Sequence, residues 1–293
     1  VTTFLLFLTN AIGGSTYPAT TVMLRGFSTR DGAFLRMGLA SLLFAPFLWR
    51  ARLRLAKLGV RDWILLSAVG IMGYALPLVL GIYGQTMASA SSAALFIGME
   101  PVSIVVMSCL FLGEKLNGMK LFSLVAGLTG AMLIAFQGLP RLGMALSGPV
   151  AGNLILAFAG ICWGLYSVLG KPVLSRVEPM DYTAVTTVLC FVGVAAWVAP
   201  GLSPSAWRGA GAGAWGAVLY LAVAGSFLGA WIWNVVLREV EASSSANFIF
   251  LQPLVGVMLG AGFLGDPMSR WTAIGGALIL MGMWAANRSS ATD

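Results

Sequence analysis

"ASSAALFIGMEPVSIVVMSCLFLGE" (Ala90 to Glu114) and "ASSSANFIFLQPLVGVMLGAGFLGD" (Ala242 to Asp266) decide the fold. Aligned without gaps, eleven of their twenty-five positions are identical. Apolar bias alone gives chance matches, but not the shared order Ala-Ser-Ser, Phe-Ile, Pro and Phe-Leu-Gly in one register. Asp31 and Asp181 correspond at nearly the same offset, as do Gly14 and Gly164. The chain reads as an internal duplication, with one unit over residues 1–145 and a second over 146–293.

The composition says where such a chain lives. Of 293 residues, 59% are hydrophobic and only 9% are charged, and the mean hydropathy is +0.91. A soluble domain carries about 25% charged residues. Long apolar runs with so few charges indicate an all-α integral membrane protein, because a helix satisfies its backbone inside the bilayer. The net charge of +7 sits in loops such as "WRARLRLAKLGVRD" (Trp49 to Asp62). That is the pattern of cytoplasmic loops, not of a nucleic-acid surface. Cys109, Cys162 and Cys190 all lie in apolar runs, and the chain has no histidine. Disulfides and metal sites are not expected from this set.

Cutting at charges, prolines and glycine clusters gives ten spans. They cover 2–23, 32–49, 63–83, 88–112, 117–137, 150–170, 181–199, 212–237, 242–264 and 270–288. The opening "VTTFLLFLTNAIGG" has no basic region before its apolar run, so it reads as a first span rather than a cleaved leader. With both termini in the cytoplasm, Arg50, Arg52, Arg54, Lys57, Arg61, Lys115, Lys120, Lys171, Arg176, Arg238 and Arg288 are internal. Arg25, Arg30, Arg141, Arg208 and Arg270 are then external, so eleven basic residues oppose five. Five spans per unit is an odd number, so the second unit enters from the opposite side. Inverted repeats of this kind build secondary transporters, whose sites lie near the midplane at interrupted helices.

Glu100-Pro101 and Gln252-Pro253 are the matched interruptions. Each proline removes a backbone donor and frees a carbonyl, which makes Pro101 and Pro253 the expected hinges. Ser92, Phe96 and Glu100 follow at i, i+4 and i+8, and Ser244, Phe248 and Gln252 repeat that spacing. At 3.6 residues per turn each set forms one stripe. Glu100 is the one Asp, Glu, Lys or Arg between Trp63 and Gly113. It is either a structural acid, hydrogen-bonded between helices, or a group that binds substrate or carries a proton. Gln252 cannot titrate, so proton coupling rests on the first unit.

Further candidates lie on other spans. Asn10, Gly14, Tyr17 and Thr21 share a face of the first, and Asn153, Gly160, Trp163 and Ser167 share one of the sixth. In the third span Tyr74 lies deep, near Pro77, whereas Tyr83 is placed at the outer interface. Phe227, Trp231 and Asn234 form a stripe on the eighth. Arg36 either snorkels outward or pairs with Glu100, and Glu114 and Asp266 read as charges at helix ends. "GLYSVLGKPV" (Gly164 to Val173) is one residue too long for a phosphate loop, and Pro172 stands where Ser or Thr is required. No hydrolase motif is present, so the chain reads as neither an enzyme nor an ATPase, and no ATPase partner is required.

The runs "ALFIGMEPV…LFLGEKL" and "ANFIFLQPLVG…GFLGDPM…GGALILMG" resemble the EamA family of the drug/metabolite transporter superfamily. Among bacterial members the chain is most similar to exporters of aromatic amino acids of the YddG type. The resemblance implies ten spans, a central cavity, no cofactor, and export of amino acids or similar metabolites across the inner membrane. Tyr74, Phe96, Trp163 and Phe248 would then line an apolar cavity. Asn10, Tyr17, Ser92, Ser244 and Gln252 would add polar contacts, and Glu100 would meet an ammonium group or carry a proton. One chain already holds both halves, so a monomer could suffice. Two other readings stay open: an exporter of hydrophobic or quaternary cations held by aromatics and Glu100, and a membrane scaffold that moves nothing.

Overall fold

The computed structural model describes residues 1–87, 99–136, 138, 150–265 and 269–289. Their helices form ten rods: α1 (Thr2–Met23), α2 (Thr29–Leu55), α3 (60–87), α4 (Met99–Leu112), α5 (Gly118–Phe136), α6 (Val150–Leu174), α7 (Pro179–Val198), α8 (Ala212–Glu239), α9 (242–264) and α10 (Arg270–Ser289). Seven of them, α2, α3 and α5 to α9, contain a stretch long and apolar enough to cross a membrane, and α4 is a shorter apolar helix. α1 falls outside that set, in keeping with the Thr, Asn, Gly and Ser residues along it. The protein is thus an all-helical, multi-pass membrane protein. Its rods follow the expected spans, with α2 and α3 each starting three residues early, α2 running on to Leu55, α3 and α6 each running four residues further, and the span 88–112 described only from residue 99.

Local chemistry sets the rod ends. Ser28 caps α2 by accepting from the Asp31 backbone N–H at 3.1 Å, and its hydroxyl donates to Asp31 Oδ2 at 2.5 Å. Gly113 and Gly265 close α4 and α9 with φ of 70° and 77°, a left-handed conformation that glycine adopts without strain. They are 152 positions apart, so the two repeats end these helices in the same way.

The packing obeys the same exchange. α1 packs on α9 as α6 packs on α4, and α1 packs on α8 as α6 packs on α3. α2 meets its own counterpart α7, and α5 meets its counterpart α10. Swapping each rod with the one five places on therefore reproduces the contacts, which is the signature of a two-fold axis between repeats. Gly14 and Gly164 sit at the equivalent crossings. A Cβ at Gly14 would lie 2.5 Å from the Gln252 carbonyl oxygen, and one at Gly164 would lie 2.8 Å from Ser103 Cβ. Small residues at these crossings let the backbones approach.

Two long rods are wound with π geometry at matching places. Val69–Ala75 of α3 and Leu221–Gly229 of α8 each insert a wider turn at mid-rod. Such turns interrupt the side-chain stripe of a helix and cluster at functional places. The largest core joins α3, α4, α6 and α7 through Leu66, Ile104, Val168 and Cys190. Leu110, Phe111, Phe122, Phe158, Leu219 and Phe263 stay exposed on the outside, where a bilayer would solvate them.

Candidate functional site

The residues singled out from the sequence fall into three places. The first joins α1 to α9. Gln252 donates from Nε2 to Asn10 Oδ1 at 3.0 Å, and Asn10 Nδ2 donates to the Leu6 carbonyl at 2.8 Å. Asn10 is 1% exposed, whereas Gln252 is half-buried. Gly13 faces the Gln252 side chain, so α1 offers a smooth surface to the amide. One turn further along α1, Tyr17 is 40% exposed and lies within coulombic reach of Glu100 on α4. Glu100 is itself half-buried. An amide pair thus joins the two repeats at α1, and the Glu100 carboxyl on α4 reaches the Tyr17 phenol through its charge.

The second place is aromatic. Tyr74, in the π turn of α3, packs at a tilt against Trp163 at 5.4 Å and edge-on against Tyr166 at 5.3 Å between ring centroids. Tyr166 continues to Tyr182 at 6.0 Å and accepts from Asn234 Nδ2 at 2.7 Å. Asn234 also donates to Thr183 Oγ1 at 2.9 Å. Trp163 keeps part of its ring exposed, but Tyr74 is only 6% exposed.

The third place is at the end of the bundle that holds the N-terminus. Ser244 and Phe248 line a cavity of about 220 Å³ with Thr2, Thr3, Leu6, Val240 and Asn287. Both are almost fully buried, and Phe248 packs into a core with Leu6, Ile134 and Ile279. They do not gather with Gln252. The reason is local: Asn247–Phe250 is a 3₁₀ turn between two α segments of α9, so a 3.6-residue stripe does not pass through it. Pro253 falls in the first turn of the α segment that follows, where its missing N–H costs least. Pro101 lies in α4 and is buried. Ser92 and Phe96 lie outside the described residues.

Three other expectations meet the structure differently. Phe227 packs on Phe44 at 4.5 Å and Phe47 at 5.8 Å, turned away from Asn234 by the π segment of α8. Glu114 accepts the backbone N–H groups of Ala242 and Ser243, each at 2.8 Å, and so caps α9 from the other repeat. Arg36 neither snorkels nor pairs with Glu100: its Nε donates to Ser226 Oγ at 2.8 Å. Because α2 begins at Thr29, Arg36 stands about 10 Å along it, at 1.5 Å per residue. Ser226 is at the middle of α8 and is fully buried. A guanidinium at such depth costs about 3 kcal/mol to insert, so it marks function by default. No spacing motif flags Arg36. The available signal was its depth in a span.

The comparisons with known proteins agree with this architecture. The EamA-like transporter family matches the chain twice, over residues 2–136 and 150–288. The protein belongs to the EamA-like transporter family. It is 26% identical over 281 residues to "Uncharacterized transporter YyaM" of Bacillus subtilis (strain 168), covering 94% of this chain and 89% of the relative. It is 27% identical over 288 residues to "Probable terminal-alkyne amino-acid exporter" of Streptantibioticus cattleyicolor, covering 97% and 92%. A solved crystal structure superimposes with a TM-score of 0.81 at 19% identity, over 99% of this chain and 98% of that one, which shows the fold alone. The EamA-like protein is accordingly a transporter by family, and its two matches coincide with the two sets of five rods.

Proposed function

We propose that this EamA-like protein is a secondary exporter of neutral or aromatic amino acids, or similar small metabolites, in the cytoplasmic membrane of a bacterium. The observation that carries this reading is the Asn10–Gln252 bond at the junction of the repeats, with Tyr17 on the same rod within reach of the Glu100 charge. Glu100 meets a substrate ammonium group or carries a proton, and the half-exposed amide of Gln252 adds a neutral contact. Trp163 supplies an apolar wall. The units 1–145 and 146–293 rock against each other, with Pro101 and Pro253 at the bends and both termini in the cytoplasm. The amino-acid exporter among the relatives supports the substrate class. Export of hydrophobic cations is disfavoured by Arg36, a second cation in the interior.

The test is uptake of labelled phenylalanine into proteoliposomes, with and without an imposed pH gradient, for wild type and Glu100→Gln. Gradient-driven uptake in wild type alone makes Glu100 the proton carrier. Equal, gradient-independent uptake in both makes the protein a facilitated carrier and Glu100 structural. No uptake of any amino acid would reject the reading.

A further inference from the structure

Arg36 is the one intramembrane charge that the proposed function leaves unused. It sits among four other rods. Its Nε bonds Ser226 of α8, and a Cβ built on Gly225 would lie 3.3 Å from its Nη2 and 3.0 Å from Thr16 of α1. Tyr74 of α3 and Cys190 of α7 are within coulombic reach. The side chain bonds across to α8, where Thr16 of α1 also approaches, and it keeps part of its surface exposed.

Its neighbours leave its charge uncompensated. Among the described residues no carboxylate pairs with Arg36, and the groups that face it are a hydroxyl, a phenol and a thiol. The undescribed stretch 88–98 contains no acid either. A guanidinium has five donors in a planar fork. One of them, Nε, is taken by Ser226, which fixes the plane of the fork and leaves the Nη edge for a planar, two-oxygen anion.

The duplication makes the feature deliberate. Ser226 and Tyr74 are equivalent positions, 152 apart, both inside π turns. The equivalent of Arg36, at the offset of 150 that relates Asp31 to Asp181, is Thr186, a neutral hydroxyl bonded to its own helix at Tyr182 O. Glu100 is likewise matched by neutral Gln252. Glu100 and Arg36 therefore both belong to the first repeat, and they do not pair with each other.

We propose that Arg36, oriented by Ser226, is the carboxylate-binding residue of the transport site, so that substrates must carry an anionic group. The inference rests on the transporter reading and adds a requirement to it. It is separate from the role of Glu100.

The experiment compares L-phenylalanine, phenethylamine, which lacks the carboxylate, and 3-phenylpropionate, which lacks the ammonium group. Binding and uptake are measured for wild type, Arg36→Gln and Arg36→Lys. Wild type should take the carboxylate-bearing compounds and bind phenethylamine at least tenfold more weakly. Arg36→Gln should lose roughly ten- to a hundredfold in affinity for the carboxylates, the range of a charge-assisted hydrogen bond, and Arg36→Lys should recover part of it. Equal handling of phenethylamine and phenylalanine by wild type overturns the proposal, and that comparison needs no folded variant. Unchanged phenylalanine affinity in a folded Arg36→Gln protein also overturns it, while the exporter reading stands. Uptake of 3-phenylpropionate without phenylalanine keeps the Arg36 subsite and rejects amino-acid export. Indifference of wild type to every carboxylate rejects the subsite.

Discussion

Gln252 Nε2 donates to Asn10 Oδ1 at 3.0 Å and ties the second repeat to the first at the broken helix α9. Interhelical hydrogen bonds in membrane proteins contribute about 0.6 kcal/mol on average and up to about 1.7. A double-mutant cycle on Asn10→Ala and Gln252→Ala, read by thermal unfolding in detergent, should give a coupling in that range. A coupling of zero would mean that each amide works alone.

The Gly14 crossing should tolerate no side chain. A Cβ there would lie 2.5 Å from the Gln252 carbonyl oxygen and 2.7 Å from Val255 Cβ, so α1 and α9 would have to separate. Gly14→Ala should lower the melting temperature and the yield of folded protein. Gly216→Ala, with nothing within 4 Å, should leave both unchanged. Equal behaviour of the two variants would show that α1 and α9 are loosely packed.

Glu114 makes stability depend on acid. Burial alone pushes its carboxyl upward, but bonds from Ser243 and Ala242 and the Lys171 ammonium at 3.8 Å outweigh burial and hold it below its ordinary value of 4.5. A carboxyl held lower in the folded state stabilises it fully above the unfolded value and loses that contribution as pH falls through the folded value. Melting temperature should therefore fall on acidification below about 4.5, near the unfolded carboxylate value. Glu114→Gln should be less stable at pH 7 and flatter across the acid range. An unchanged acid limb in that variant would assign the effect to other carboxylates.

Much of this fold is legible in the sequence because the duplication is. The shared order around Pro101 and Pro253 gives the repeats, and Asn10 and Gln252, both singled out from the sequence, meet across them. What escaped are the places where the backbone leaves that period. The 3₁₀ turn at Asn247–Phe250 sends Ser244 and Phe248 into the cavity at the N-terminal end. The π turn of α8 separates Phe227 from Asn234 and presents Ser226 to Arg36. Departures of less than one residue per turn carry no compositional mark, so the direction of Arg36 could not be read from its spacing.

The end of the bundle that holds the N-terminus is tied by ion pairs between repeats. Arg54 holds Asp181 through two bonds of 3.0 Å, Arg176 meets Asp62 at 2.6 Å, and Lys120 meets Glu241 at 2.5 Å. With Lys171 and Glu114, four pairs among the described residues cross from one repeat to the other. Ser243, Ser244 and Asn247 lie almost fully buried at this end. Under the proposed rocking of the two units, these pairs separate when this end opens. Asp181→Asn removes the acceptor charge from a carboxylate whose side chain is only 5% exposed, and should shift the population toward the open end. Ser244→Cys in a background without Cys109, Cys162 and Cys190 reports the shift. Its labelling by a membrane-impermeant maleimide should rise several-fold on adding Asp181→Asn. High salt should give a smaller rise in the parent, because the exposed Arg54 head is screened. Labelling that ignores both changes would mean that the pairs fix the fold and do not govern the gate.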